Sequence, residues 1–330
     1  MMNVEDFACY VADEAYKILS DELDINMMQV RSSMKNNGTK THFVTPTRQG
    51  DTVSPTIYLD NLYESYKDGK DIENCVDELC EVVRKNIGKG QELKDVGKMF
   101  GDYEKAKENL KICVINTKLN KELLGEVPHV NVEDVSLVFR VIVESNEGMT
   151  GSVLVRNEHM EHWGIEVDQL YEDAKTIMNK RNDTVICSMM DILRDYIPSE
   201  ELKSTEDKGF FKDEMYVISN RSKVFGASEP FYNPSILDKL GEEIGDLYVI
   251  PSSIHEVIVV SKELMSYEDA SRLIQSVNDT EVEPEEVLSD HPYVYNAKTH
   301  ELTMKDDKVE VESEAVSENV KEVNRKSRTH

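Results

Sequence analysis

Ser252-Ser253-Ile254-His255-Glu256 is the stretch of this 330-residue chain whose side chains most directly suggest chemistry. Serine, histidine and a carboxylate can supply the nucleophile, base and orienting group of a hydrolase. Local geometry opposes a triad built within the stretch. Ile254 to Val260 reads as a strand, and successive strand side chains point to opposite faces. Ile254, Glu256, Ile258 and Val260 then share one face, and His255 shares the other with Val257 and Val259. The serines lack the Gly-x-Ser-x-Gly setting of a nucleophile elbow. Pro251-Ser252-Ser253 therefore reads as a turn and His255 as a structural or binding histidine. A hydrolase using Ser252, Ser253, His255 and Glu256 stands as the alternative.

Glu158-His159-Met160-Glu161-His162-Trp163 holds a close histidine pair. On a helix the i,i+3 spacing places His159 and His162 on one face, with Glu158 or Glu166 as third ligands. Zinc sites require three or four ligands and an ordered surrounding shell, and the HExxH pattern is absent. The expectation is a polar helix start with no metal and no cofactor. Cys113 and His129 could pair as thiol and base, but Cys113 sits in an apolar strand, where cysteine is usually a small buried hydrophobe. Phosphate loops, dinucleotide fingerprints and EF-hand loops do not occur.

These residues must be positioned by elements legible in the hydrophobic pattern. Val4, Phe7, Ala8, Val11, Ala15, Ile18 and Leu19 recur at helical spacing. Lys35-Asn36-Asn37-Gly38 predicts a hairpin turn between strands at about 25–34 and 40–47, because Asn-Gly tolerates positive φ. Residues 56–59 form a short strand, and 71–87 a second amphipathic helix ended by Gly88 and Gly90. Residues 91–110 read as polar helix and 112–115 as a buried strand. Strands at 137–143 and 150–156 flank Asn146-Glu147-Gly148, and a helical stretch follows, interrupted near Trp163-Gly164. Residues 198–213 read as loop and 215–218 as strand. Asn233-Pro234 should cap a helix that ends at Gly245. A hairpin, 247–250 and 254–260, turns across 251–253. Ser266 then caps a helix with a Tyr267, Ala270, Leu273, Ile274 and Val277 stripe. Both hairpins precede a helix carrying Tyr-Glu-Asp-Ala (171–174 and 267–270), as consistent with coincidence as with duplication.

Acidic residues outnumber basic ones 65 to 38, for a net charge of −27. Such a surface repels phosphate backbones, so nucleic-acid binding is not expected. It favours solubility or a basic protein partner. DNA mimicry needs carboxylates arrayed on one face, whereas these are interspersed with lysines. Five cysteines without a CxxC pair suggest reduced thiols. The first residues, Met-Met-Asn-Val-Glu-Asp, carry no signal-peptide pattern, and no apolar run approaches the ~20 residues of a membrane helix. Residues 305–330, with seven acidic and six basic side chains and almost no aromatics, read as a disordered charged tail.

Several phrases stand in order: Ser54-Pro55-Thr56-Ile57-Tyr58-Leu59; Asn120 to Leu124 with Val127-Pro128-His129; Ser222-Lys223-Val224-Phe225-Gly226-Ala227; Ile250 to Val257; and Glu281 to Asp290. As a set, over roughly residues 3–304, they resemble a domain-of-unknown-function family found mainly in anaerobic gut Firmicutes. The hairpin–helix stretches are also distantly similar to a second uncharacterised bacterial family. The resemblance implies a bacterial cytoplasmic protein and supplies no activity or catalytic residue.

The combined expectation is an α+β fold of antiparallel, hairpin-built sheets covered by amphipathic helices. It divides into an N-terminal unit (1–107), a larger body (108–304) and the tail. The leading functional expectation is a non-enzymatic interaction or regulatory protein. The alternative is a hydrolase or metal-dependent enzyme using His255 or His159/His162.

Overall fold

The N-terminal apolar stripe forms helix α1 (Val4–Leu23), which buries Phe7, Ala8, Val11, Ala12, Ala15 and Leu19 and leaves Ile18 on the exposed flank. The Asn3 side chain accepts the Asp6 N–H at 2.8 Å, satisfying one of the orphan donors of the first turn. At the other end Asp24 turns left-handed, and the chain enters β1 (Ile25–Met34). Asn37 (φ +60°) and Gly38 (φ +71°) make the expected turn into β2 (Lys40–Arg48), antiparallel to β1. A short β3 (Ile57–Tyr58) completes a three-stranded sheet in the order β1-β2-β3. Helices α2 (Asp60–Lys67) and α3 (Ile72–Asn86) follow. Phe7, Leu19, Val44, Leu59, Leu79 and Val83 form one cluster with Cys75 and Cys80. Burial pushes both thiols' pKa values up, which suits them to packing rather than to nucleophilic chemistry.

The computed structural model describes residues 1–50, 54–87, 100–144, 150–196 and 215–304. Most of the polar helix expected at 91–110, the Gly88–Gly90 stop, the Asn146–Gly148 turn, the 198–213 loop and the 305–330 tail lie outside the described residues. Contacts divide the chain into two compact units. One comprises Met1–Ile112, Leu119–His129 and Val138–Arg181; the other comprises Cys113–Lys118, Val130–Leu137 and Asn182–His330.

Helix α4 (Tyr103–Lys107), β4 (Leu110–Asn116), α5 (Lys121–Leu124), β5 (His129–Val132), β6 (Val135–Glu144) and β7 (Thr150–Leu154) follow in order. The four strands form a second sheet in which β6 lies between β4 and β5 and also pairs with β7. Helix α6 (Asn157–Trp163) stops where Gly164 adopts φ +67°, the interruption expected there. In α7 (Val167–Arg181) Leu170, Ala174, Ile177 and Met178 are buried, and Tyr171 meets Phe139 of β6 edge-on.

Strand β8 (Thr184–Ser188), helix α8 (Met189–Tyr196) and β9 (Met215–Asn220) lead into α9 (Glu229–Tyr232), α10 (Asp238–Ile244), β10 (Leu247–Pro251), β11 (Val257–Ser261) and α11 (Tyr267–Thr280). Strands β12 (Tyr293–Asn296) and β13 (Glu301–Thr303) end the sequence of elements. Six strands form an antiparallel sheet in the order β13-β12-β10-β11-β9-β8. The Leu247–Ser261 hairpin is its centre, and both of its faces are covered. Tyr248, Ile250, Val260 and Val294 pack with Ile274 of α11. Val257, Val259, Tyr293 and Tyr295 are also fully buried. Phe231 of α9 meets Tyr293 edge-on at 4.9 Å. Gly241 lets α10 come close to the strand: a Cβ there would stand 3.0 Å from Tyr295.

The architecture is the expected antiparallel α+β fold, with three local corrections. Asn233 does not cap its helix. Its side chain accepts the Ser235 hydroxyl instead, and Pro234–Leu237 forms a 3₁₀ turn before α10 begins. In α11 the Ser266 cap is present, but Leu273 and Val277 face outward, at 51% and 36% exposure. The buried line of this helix is Ala270 and Ile274, narrower than its apolar stripe. Finally, the hairpin connection is longer than expected, with consequences for His255.

Candidate functional site

Strand β10 runs through Pro251, which pairs with Val257, so residues 252–256 are loop and His255 is not on a strand. Proline is tolerated at this last ladder position because little pairing beyond it is lost. The ladder stops because backbone groups of the loop bond elsewhere. Ile254 N–H donates to the Glu286 carbonyl at 3.0 Å, and the His255 carbonyl accepts from Gly226 N–H at 2.9 Å and from the Ser219 hydroxyl at 2.8 Å. Strand alternation therefore does not govern where His255 and Glu256 point.

The imidazole of His255 is engaged at both nitrogens. Nδ1 lies 3.1 Å from the Phe225 backbone N–H and must accept from it, which leaves the proton on Nε2, 3.1 Å from Glu286 Oε1. The Ser253 hydroxyl accepts the backbone N–H of His255, not a ring contact. Opposite this loop the chain is held in an unusual path. Lys223 and Phe225 have positive φ, and the Asn220 side chain bonds both the Val224 carbonyl and the Val224 N–H. At Gly226 a Cβ would stand 2.4 Å from Ser219 Oγ and 2.7 Å from the His255 carbonyl oxygen. Three of the stretches that carried the family resemblance, 222–227, 250–257 and 281–290, thus meet at His255. Their arrangement is a clasp between loops, in which a neutral histidine bridges a backbone amide and a carboxylate.

His159 and His162 both lie on α6. His159 Nδ1 accepts the Arg156 N–H at 3.0 Å, closing the first turn of the helix, and its ring lies against Phe100 and Trp163. Burial lowers its pKa, favouring the neutral ring that this bond requires. His162, Glu158 and Glu166 are exposed. Among the described residues no group of three or more His, Cys, Asp and Glu is arranged to hold a metal ion. Cys113 is buried in β4. The Nδ1 of His129 lies 3.0 Å from the Val127 carbonyl, which can only accept, so Nδ1 carries the proton.

Three polar centres were not anticipated from the sequence. In the unit containing the six-stranded sheet, Asp134 accepts from His291 Nε2 at 3.1 Å and from the Tyr293 hydroxyl at 2.5 Å. His291 Nδ1 faces the Pro292 carbonyl, so both ring nitrogens meet acceptors and the ring is an imidazolium. Burial is the largest single influence and opposes charge on both partners, but the hydrogen bonds from His291 and Tyr293 to Asp134, the Pro292 carbonyl at His291 and the attraction of the opposite charges together outweigh it, holding Asp134 below and His291 above their ordinary pKa values. Asp238 accepts similarly from Tyr295 and His300. A pattern search for local motifs could not find these centres, because Asp134 and His291 are 157 residues apart.

The third centre is His42 on β2. It is 5% exposed, and neither ring nitrogen has a hydrogen-bond partner among the described residues. A buried polar group left in this way costs about 1–3 kcal/mol. A signal was present in the sequence: His42 shares its strand parity with Val44, so it points to the covered side.

No curated protein and no solved structure matches the chain. Among the described residues no helix is long and apolar enough to cross a membrane. The model of a family of unknown function, DUF5688, matches residues 4–297, and the chain belongs to that family.

Proposed function

We propose that this chain is a non-enzymatic interaction or regulatory protein of a bacterial cytoplasm, recognising a basic protein partner. The observation that carries the reading is the engagement of His255. A general base needs a ring nitrogen within reach of the nucleophile's proton, and both nitrogens of His255 are taken by Phe225 and Glu286. His159 is similarly committed to its helix turn. The net charge of −27 supports a basic partner, since complementary fields speed encounter and repel acidic competitors.

A broad hydrolase screen of the wild-type chain beside Ser253→Ala and His255→Ala, combined with capture of partners from its host at graded salt, tests the reading. The expected result is no serine- or histidine-dependent turnover and a basic protein released as salt rises. Turnover lost in Ser253→Ala at an unchanged unfolding midpoint would establish the hydrolase alternative.

A further inference from the structure

We infer that the outer edge of β1 is a docking strand for an extended acidic segment of this chain, residues 308–316. This inference goes beyond the proposed interaction role and does not depend on it. In the order β1-β2-β3 the first strand is an edge. It runs ten residues, Ile25–Met34, and from Met27 to Met34 it keeps unbroken register with β2. Among the described residues, the bond that reaches its backbone from outside the sheet is that of the Tyr16 hydroxyl to the Asn26 carbonyl. Long edges are usually guarded by proline or lysine, and β1 contains neither. The tip of the hairpin is held in place: Asn37 N–H donates to Asn120 Oδ1, and Asn120 Nδ2 donates to Asn37 Oδ1, both at 2.8 Å. The edge is thus preformed, which lowers the ordering cost of pairing.

The first argument for the occupant is charge. Residues 25–50 contain Arg31, Lys35, Lys40 and Arg48 and no acidic residue, in a chain whose net charge is −27. Lys40 is paired with Glu5 at 2.6 Å. Arg31 is exposed and its partner is neutral, the Gln29 side chain at 2.6 Å. Arg31 stands opposite Phe43, and Phe43 opposite Tyr58, with the Lys35 ammonium 5.1 Å from the centre of the Tyr58 ring. The open face of this sheet is therefore a cationic and aromatic row, and it favours a neighbouring strand that carries carboxylates.

The second argument is alternation. Residues 308–316 read Lys-Val-Glu-Val-Glu-Ser-Glu-Ala-Val. In a strand, Glu310, Glu312 and Glu314 share one face, and Val309 and Val311 share the other. The two faces of β1 match these. Val30 stands opposite the fully buried Val44, and Met28 and Val30 are partly buried against the α1 cluster. Arg31 is on the other face. A strand laid on this edge with its glutamates on the Arg31 face extends the apolar cover beside Met28 and Val30 with Val309 and Val311. A slip of one residue reverses both faces, so the pattern selects its register. Nine residues span about 30 Å as a strand, comparable with β1 itself. The composition that keeps the tail from folding alone does not keep one stretch of it from ordering on a template.

Residue-resolved hydrogen exchange on the full chain tests the pairing. An edge strand protects only the amides that face its one neighbour, whereas a strand paired on both sides protects successive amides. The expected result is successive protection across Met28–Met34 in the wild type. Val311→Pro removes an N–H from the added strand, and Arg31→Glu sets like charges side by side. In each variant the outward-facing amides of β1 should exchange at least about tenfold faster, while those bonded to β2 keep their rates. The inference is overturned by alternate protection already in the wild type, by successive protection that survives Val311→Pro, or by exchange that Arg31→Glu leaves unchanged. Protection that survives Val311→Pro and rises with protein concentration would assign the edge to a second copy of the chain instead. The wild type and Val311→Pro decide the question without any substitution in the sheet.

Discussion

The cluster around α1 and the six-stranded sheet treat histidine in opposite ways. In the sheet unit, His255 and His291 are each fastened to a carboxylate and a backbone group. Around α1, His42 is more deeply buried than either, and its ring has no such fastening among the described residues. Polar groups in the sheet unit are structural ties whose loss should register as stability. Around α1 the buried ring of His42 adds no such tie among the described residues. Apolar packing there must then supply the stability that polar ties supply elsewhere.

The largest effect should come from removing that packing. Phe7 is fully buried and stacks near Tyr63 and Tyr66, at 5.3 and 5.0 Å between ring centroids. Phe7→Ala should destabilise the α1 cluster by about 3–5 kcal/mol, measured by denaturant unfolding. A loss below about 1 kcal/mol would mean that the cluster is not what holds this region together.

The polar side of the contrast is sharpened by pH. His291 carries a raised pKa, so its contribution is fully present below its ordinary value of 6.5 and fades as pH rises through the folded value. Asp134 carries a lowered pKa, so its contribution is present above its ordinary value of 3.8 and fades as pH falls through the folded value. The pair should therefore stabilise most between about pH 4 and 6.5. Asp134→Asn should cost about 1–2 kcal/mol there, reduced from a fully buried pair by solvent screening, and should flatten the profile above it. An unchanged pH profile in the variant would place the wild-type pH dependence in other groups.

An effect of similar size concerns the sheet's own packing. Ile258 lies with Val260 against the Ile274 side of the sheet, as its strand parity requires, but is only half-buried. Ile258→Ala should cost about 1–2 kcal/mol, below the 2–5 of a fully buried position. A larger loss in the unfolding midpoint would show that this face of the sheet, and not its polar ties, dominates the region.

What the sequence revealed followed from how local the physics was. Helical spacing located α1 and α3, Asn37-Gly38 located the first hairpin, and the apolar runs of β10 and β11 located the second. Strand β8 escaped because Thr184 to Ser188 is at most half-buried, with Ile186 exposed, and carries weak alternation. Strands β12 and β13 escaped because they are short, at four and three residues, and because β12 is fixed by its pairing with β10, far away in the chain. At the candidate sites the residue types were legible but their surroundings were not. His255 was conspicuous beside two serines, yet its bonding partners are Phe225, 30 residues earlier, and Glu286, 31 residues later. His42 drew no attention because nothing chemical stands next to it in the chain; only its burial distinguishes it.

The crowding around Gly226 has a use in reading related chains. Even alanine would press its methyl group into Ser219 and into the carbonyl of His255, so position 226 is closed to every other amino acid unless the loops separate. The residue is thus a single-letter marker. A relative that keeps glycine there is able to close the same loop around its histidine. One that has lost it must have opened the clasp, and a role assigned through His255 should not be transferred to it by alignment alone.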